Sequence, residues 1–441
     1  MFPSYPKRLM IPKRFLNLPD INVKKAVLTV ILSLLLVFSL SAFSGSGKMY
    51  TGENETSLIV IGPGDPLYSY WGHIGINIDG TFYDFGNFSF DEDNFYRNFA
   101  MGRLWYLGMA SSTPLVVSYT IRENRDVKVY PLNLGIEEKK ILENKLEWWV
   151  QPENRRYLYD YFLNNCSTII RDVLNDATNG QLKEFSSGFP DKTFRFYART
   201  GCAPSAFNEI LLDYLLGVPE DVPITGWEKM FMPQSVADFA QIFTYTDSSG
   251  IKRKLAEKEI LINKSTRPPV PDKYRTLWPW MLIAGLFSGI LWRIISIISV
   301  SEKRFIFTTG NTIRILIILI IGIFGLFLGF AMTFTDHNSV TGNINLWPSF
   351  PTMLTALIPL FMIFRKKNSS KEKRMKLEKT ASVILTINFA GFLLAVFLRL
   401  SGLFIQDAFA FWAFFAPFTF LTSIAGFSIQ NRYLRNLPAH W

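Results

Sequence analysis

Apolar residues fall along this chain in two regimes. From residue 277 onward they form five long runs, about 277–298, 315–334, 346–364, 381–399 and 408–429, each near the roughly 20 residues that cross a bilayer as a helix. Between about 48 and 275 they come in short stretches broken by polar and turn-forming residues, the texture of a soluble domain. One more run, "AVLTVILSLLLVFSLSAF" (26–43), stands ahead of both and follows Lys7, Arg8, Lys13, Arg14, Lys24 and Lys25. That is the pattern of a signal peptide or signal anchor. Small residues in "SAFSGSG" permit cleavage, the long leading segment favours an uncleaved anchor, and either sends residue 48 onward across the membrane.

In the middle region "SLIVIG" (57–62) predicts a buried strand, and "HIGINI" and "TFYDFG" flank Asp79-Gly80, the strongest short hairpin signal. "DEDNFYRNFAMG" predicts a helix, "RLWYLGMA" a strand, "TPLVVSYTIREN" a helix, "RDVKVYPL" a strand and "GIEEKKILENKLEWWV" an amphipathic helix. The fold class is therefore α+β, with adjacent strands antiparallel, joined to an α-helical multi-span membrane domain. A two-residue turn at 79–80 pairs Ile78 with Thr81 and Gly75 with Asp84. Side chains alternate faces along a strand, so His73, Gly75 and Asn77 share a face with Phe82, Asp84 and Gly86. His73 and Asp84 become diagonal neighbours, and the two glycines leave that face open.

Charge orients the spans. Residues 365–379, "RKKNSSKEKRMKLEK", hold eight Lys or Arg, and Lys303, Arg304 and Arg314 mark the loop after the first of the five runs, whereas "TDHNSVTGNIN" (335–345) has none. The positive-inside rule puts 301–314, 365–379 and the Arg432/Arg435 tail in the cytoplasm, and 335–345 and 400–407 on the side of the soluble domain. These loops account for much of the net charge of +10, so no nucleic-acid partner is implied. The expected plan is 1–47 cytoplasmic N-terminus and signal segment, 48–249 soluble domain, 250–276 a basic linker against the outer leaflet, and 277–441 membrane domain.

The chain has three histidines and two cysteines, and only His73 among the histidines falls in the soluble domain. One histidine and two separated cysteines make no zinc site, so metal ligation is rejected and no cofactor is expected. Cys166, in "YDYFLNNCSTIIRDVL" (159–174), stands where an extended stretch turns into a helix striped by Ile169, Ile170, Val173 and Leu174. A helix N-terminus carries partial positive charge and free N–H groups, which favour a thiolate. The Cys166 N–H with Asn164 or Asn165 offers oxyanion donors, and Asp84 can orient His73 as the third group of a triad. Three readings of Cys166 stay open at this point: a nucleophile, half of a disulfide with Cys202 of "RTGCAPS", or an inert buried thiol.

Four stretches carry a resemblance: "GPGDPLYSYWGHIGINI", "YDFGNFSF", "RYLYDYFLNNCSTIIRDVL" and "GWEKMFMP". In this order they resemble the Lnb-type N-terminal periplasmic domain of a bacterial lipoprotein N-acyltransferase family, one of the circularly permuted NlpC/P60, papain-like proteins. The resemblance covers roughly residues 55 to 245. It implies that Cys166 is the nucleophile, His73 its base and Asp84 the polar residue that orients His73, a role Asn77 or Asn87 could fill instead. Asn165, Asn164 and Trp71 would support the site or its oxyanion, and Cys202 matches no motif.

It also implies the reaction. Cys166 takes an acyl chain from a membrane phospholipid as a thioester, and the N-terminal amine of a diacylglyceryl-cysteine lipoprotein then accepts it as an amide, with His73 moving the protons. The expected setting is the bacterial inner membrane, with the catalytic domain periplasmic. Arg399, His337 and Asp336, at outer ends of spans with Asp407, are candidates for lipid headgroup contacts. A cysteine hydrolase of cell-wall peptides or lipids, and a non-catalytic binding protein with bonded thiols, are the competing readings.

Overall fold

Leu58 and Val60 alternate with Ile59 and Ile61, and all four are buried, so the strand that carries them is covered on both faces. The computed structural model describes residues 50–90, 93–299, 304–365 and 370–435, without the side chains of 304–307 and 431–435. The apolar run 26–43, Lys303 and residues 366–369 lie outside the described residues. Strands β1 (Thr56–Ile61), β2 (His73–Ile78), β3 (Thr81–Asn87), β4 (Trp105–Ser112), β5 (Val127–Pro131) and β6 (Arg156–Leu158) join an edge strand, Ile260–Asn263. They form one seven-stranded sheet in the order 260–263, β5, β1, β2, β3, β4, β6, and every pairing is antiparallel.

On one face Leu58, Val60, Ile74 and Ile76 pack with Leu142 and Leu146 of helix Ile136–Val150 and with Ile170, Val173 and Leu174 of helix Cys166–Ala177. On the other, Ile59, Ile61, Phe82, Val127 and Val129 pack with Val117 of helix Thr113–Arg122. Each such side chain contributes about 1.5–3 kcal/mol by leaving water. The hairpin has the register read from the sequence, Gly75 opposite Asp84 and Ile78 opposite Thr81. Asp79 and Gly80 both take positive φ, 48° and 88°, as a type I′ turn requires.

The segment read as a linker is partly sheet, and this corrects that reading. Ile260–Asn263 covers the otherwise open edge of β5, Lys252–Lys254 pairs with Thr244–Thr246, and Leu255 and Ala256 are fully buried. Three of its cations meet protein carboxylates. Arg275 meets Glu209 at 3.0 Å and Lys264 meets Asp126 at 3.3 Å, and Arg267 pairs with Asp65.

Five helical stretches are long and apolar enough to cross a membrane: Trp278–Ser299, Thr308–Phe334, Ile344–Arg365, Lys371–Leu400 and Phe409–Gln430. They agree with the five runs in the sequence. Helices Arg304–Phe334 and Lys371–Leu400 run further than expected, so Arg314 and Glu378 lie in the bundle rather than in loops. Arg314 holds both Glu378 oxygens, at 2.8 and 2.7 Å, donates to Ser296 at 2.7 Å and lies over the Trp292 ring.

Soluble and membrane parts share a core. Tyr214, near the end of helix Ala206–Leu215, packs with Leu328, Val340, Phe411 and Phe415. The last carbonyls of that helix are capped from the membrane domain. Asn343 Nδ2 donates to Tyr214, Leu215 and Leu216 at 2.9–3.1 Å, and Gln406 Nε2 donates to Leu216 at 2.9 Å.

Candidate active site

Asn165 explains why a helix starts at Cys166. Its Oδ1 accepts the N–H groups of Ser167 and Thr168 at 2.8 and 3.0 Å, and Thr168 Oγ1 accepts the Asn165 N–H at 2.7 Å, a reciprocal cap. Ile169 N–H bonds to the Asn165 carbonyl. Of the first-turn donors, only the Cys166 N–H has no protein acceptor among the described residues. The Asn165 amide donates to the carbonyls of Tyr161 and Phe231 at 2.9 and 3.1 Å. Phe231 belongs to the "GWEKMFMP" stretch, and Trp227 of the same stretch lies 4.0 Å from the Arg171 guanidinium and accepts from it at its carbonyl. That stretch therefore clamps the cysteine helix.

His73 opens β2, and its Nε2 donates to Asp84 Oδ1 at 3.1 Å, the diagonal contact read from the hairpin. The same carboxylate oxygen accepts the Gly86 N–H at 3.2 Å and Asn87 Nδ2 at 2.7 Å. Asn87 thus fixes Asp84, and Asp84 fixes His73. Asn77 is fully buried elsewhere, donating to the Gly52 and Glu55 carbonyls and accepting from Thr113. The glycines do not leave the face open. A Cβ on Gly75 would stand 2.3 Å from the Phe82 ring, and one on Gly86 would stand 2.5 Å from His73 Cε1. The missing side chains make room for those two rings.

Residues 73 and 166, 93 apart in sequence, come close enough that each shifts the other's proton affinity. Asp84 occupies Nε2, so Nδ1 is the nitrogen left for sulfur. Burial is the largest single influence and opposes both charges, but the partner charges and hydrogen-bonding contributions together outweigh it. The His73 imidazolium and its hydrogen bond hold Cys166 below the ordinary thiol range, and the Cys166 thiolate with Asp84 pushes His73 up to about 10. Both shifts favour an ion pair of thiolate and imidazolium. Ser167 Oγ lies 3.8 Å from the sulfur.

The other named residues are committed elsewhere. Asn164 Nδ2 donates to the Leu158 carbonyl at 2.7 Å, and Trp71 Nε1 donates to Tyr197 O at 3.4 Å with its ring against Gly201. Together with Asn165 they build the site's frame, and their drawn bonds run to carbonyls rather than toward a substrate. Cys202 is a free thiol, fully buried, raised by burial to about 12 and thus inert; Cys166 is free as well. Asp336 pairs with Arg103 at 2.6 Å, and His337 Nε2 bonds to the Phe99 carbonyl at 3.0 Å. Both dock the soluble domain, which their residue types did not signal. Arg399 stays exposed, bonded through Nε to the Gln406 carbonyl at 3.2 Å. A cavity of about 470 Å³ lined by Arg171, Lys183 and Trp227 lies beside the same helix but includes neither Cys166 nor His73.

Comparison with known families yields two matches. The Lnb N-terminal periplasmic domain matches residues 48–200, and the Lnb transmembrane domain matches residues 272–413. No curated protein and no solved structure matches the chain.

Proposed function

Because the chain belongs to the Lnb family of lipoprotein-processing membrane proteins, we propose that it is an N-acyltransferase whose nucleophile is Cys166. The observation that carries the reading is the Cys166–His73–Asp84 arrangement, an activated thiol on a domain whose core is continuous with a membrane bundle. The order of histidine strand before cysteine helix is that of the permuted papain-like proteins.

Cys166 thiolate attacks an ester carbonyl of a phospholipid, and the Cys166 N–H donates to the developing oxyanion. Collapse breaks the acyl–oxygen bond. His73 gives its proton to the departing alkoxide, leaving a lysophospholipid, an acyl thioester and neutral imidazole. The unprotonated N-terminal amine of a diacylglyceryl-cysteine lipoprotein then attacks the thioester. His73 takes the amine proton, the carbon–sulfur bond breaks, and amide and ion pair result. Two easier steps replace one hard one. Arg399, exposed on the soluble-domain side, supplies a cation for the donor's phosphate.

The test is Cys166→Ala in cells that depend on this protein, with lipoprotein N-termini read by mass spectrometry. Loss of the N-acyl chain is expected. Its retention overturns the mechanism, and a Cys166 acyl adduct discharged equally by water without amine indicates a hydrolase.

A further inference from the structure

Helix Phe95–Ala100 turns two of its aromatic side chains to the outside: Tyr96 is 76% exposed and Phe99 49%, beside Phe90 at 54%. Soluble surfaces rarely gather large aromatics in this way without a partner. The position of the helix identifies that partner. Just past it, Met101 O accepts the Asp336 N–H at 2.9 Å, Arg103 pairs with Asp336, and His337 bonds to Phe99 O. Asp336 stands two residues beyond the span that ends at Phe334. The helix is therefore held at the level where the bilayer ends, the depth at which aromatic side chains are most at home.

From there a ladder of rings leads inward. Phe99 stacks on Phe95 at 6.4 Å, Phe95 on Phe88 at 6.0 Å, Phe88 meets Tyr106 at 4.9 Å, and Tyr106 stacks on Tyr159 at 4.0 Å. The inner end packs against the same core cluster as Cys166. Burial raises the Tyr159 hydroxyl, and the charge of Cys166 raises it further. Tyr68, 61% exposed and 5.5 Å from Phe88, flanks the ladder from the loop before His73. The strip is aromatic along its length, from the ends of the spans to the core that holds Cys166.

We propose that the ring ladder from Phe99 to Tyr159 is the path along which one acyl chain of a phospholipid in the adjacent leaflet leaves the bilayer and presents its ester to Cys166, with Tyr96 and Phe99 immersed among lipids. This rests on the acyl-transfer reading above. Continuity with the apolar bundle selects lipid over a second protein as the occupant.

The full chain is reconstituted in vesicles of phosphatidylethanolamine and phosphatidylglycerol, with p-benzoylphenylalanine in place of Tyr96 or Phe99. Photolysis is expected to give adducts to phospholipid. Adducts to a second copy of the chain, or none, overturn the proposal. In a second arm, Phe90→Ser with Phe99→Ser is assayed for Cys166 acylation from dipalmitoyl and dihexanoyl phosphatidylethanolamine. The loss with the long-chain lipid is expected to exceed that with the short one by about tenfold, and equal losses overturn the path. If the unaltered protein acylates Cys166 from neither lipid, the acyl-transfer reading fails, while the photolysis result still decides whether lipid occupies the strip.

Discussion

At Cys166 and His73 a proton is placed by competition between burial and a neighbouring charge. Burial alone would keep both neutral, yet the thiol lies below its ordinary range and the imidazole rises to about 10. The reactive form is the thiolate, so a lowered thiol pKa extends reactivity toward acid: alkylation by iodoacetamide is expected to persist below the pH at which an ordinary thiol becomes protonated and to fall off as pH drops through the lowered value. Above about pH 10 the acid function of His73 is lost. His73→Gln removes the imidazolium and leaves burial unopposed, so the alkylation profile is expected to move up past the ordinary thiol range. An unchanged profile rejects the ion pair. At Gly86 the room for the imidazole is one methyl group wide. Gly86→Ala is expected to slow Cys166 alkylation at pH 7 by about tenfold, equivalent to 1.4 kcal/mol, while far-ultraviolet circular dichroism stays the same.

At the scale of elements, the cysteine helix depends on one side chain for its start. Asn165→Ala removes the acceptor for two N–H groups and two donors to carbonyls, and a lost cap of this kind costs about 1–2 kcal/mol, to be read as a lower Tm by differential scanning fluorimetry. The sequence disclosed the hairpin because its turn is two residues long: Asp79-Gly80 dictates both register and facing, so the His73–Asp84 contact follows from counting. It disclosed the helix start at Cys166 through the apolar stripe behind it. It did not disclose the proximity of residues 73 and 166, since nothing local relates strand to helix across 93 positions, and the family resemblance carried that step. Nor did it disclose the strand Ile260–Asn263, whose lysine-flanked run reads as linker until β5 is seen to need a neighbour. The amide of Asn165 read as an oxyanion donor because residue type does not reveal which carbonyls fold back to meet it.

At the scale of the whole molecule, a few polar groups inside apolar surroundings hold the spans in register. Arg314→Met leaves the Glu378 carboxylate buried without its cation, which costs about 3–5 kcal/mol. The expected sign is a marked drop in thermal stability in detergent, largely recovered in Arg314→Met with Glu378→Leu. A double variant as unstable as the single one would show that the pair does more than neutralise itself. Arg314 reads from sequence as a positive-inside marker of a loop, and its burial becomes visible only once the second helix is known to extend past the apolar run.

The capping of helix Ala206–Leu215 has a consequence for biogenesis. The carbonyl of Leu216 receives its Gln406 donor from a residue synthesised 190 positions later. Among the described residues of the soluble domain that carbonyl has the Arg195 donor alone, so a nascent chain gains the Asn343 and Gln406 donors in turn as the membrane domain is made.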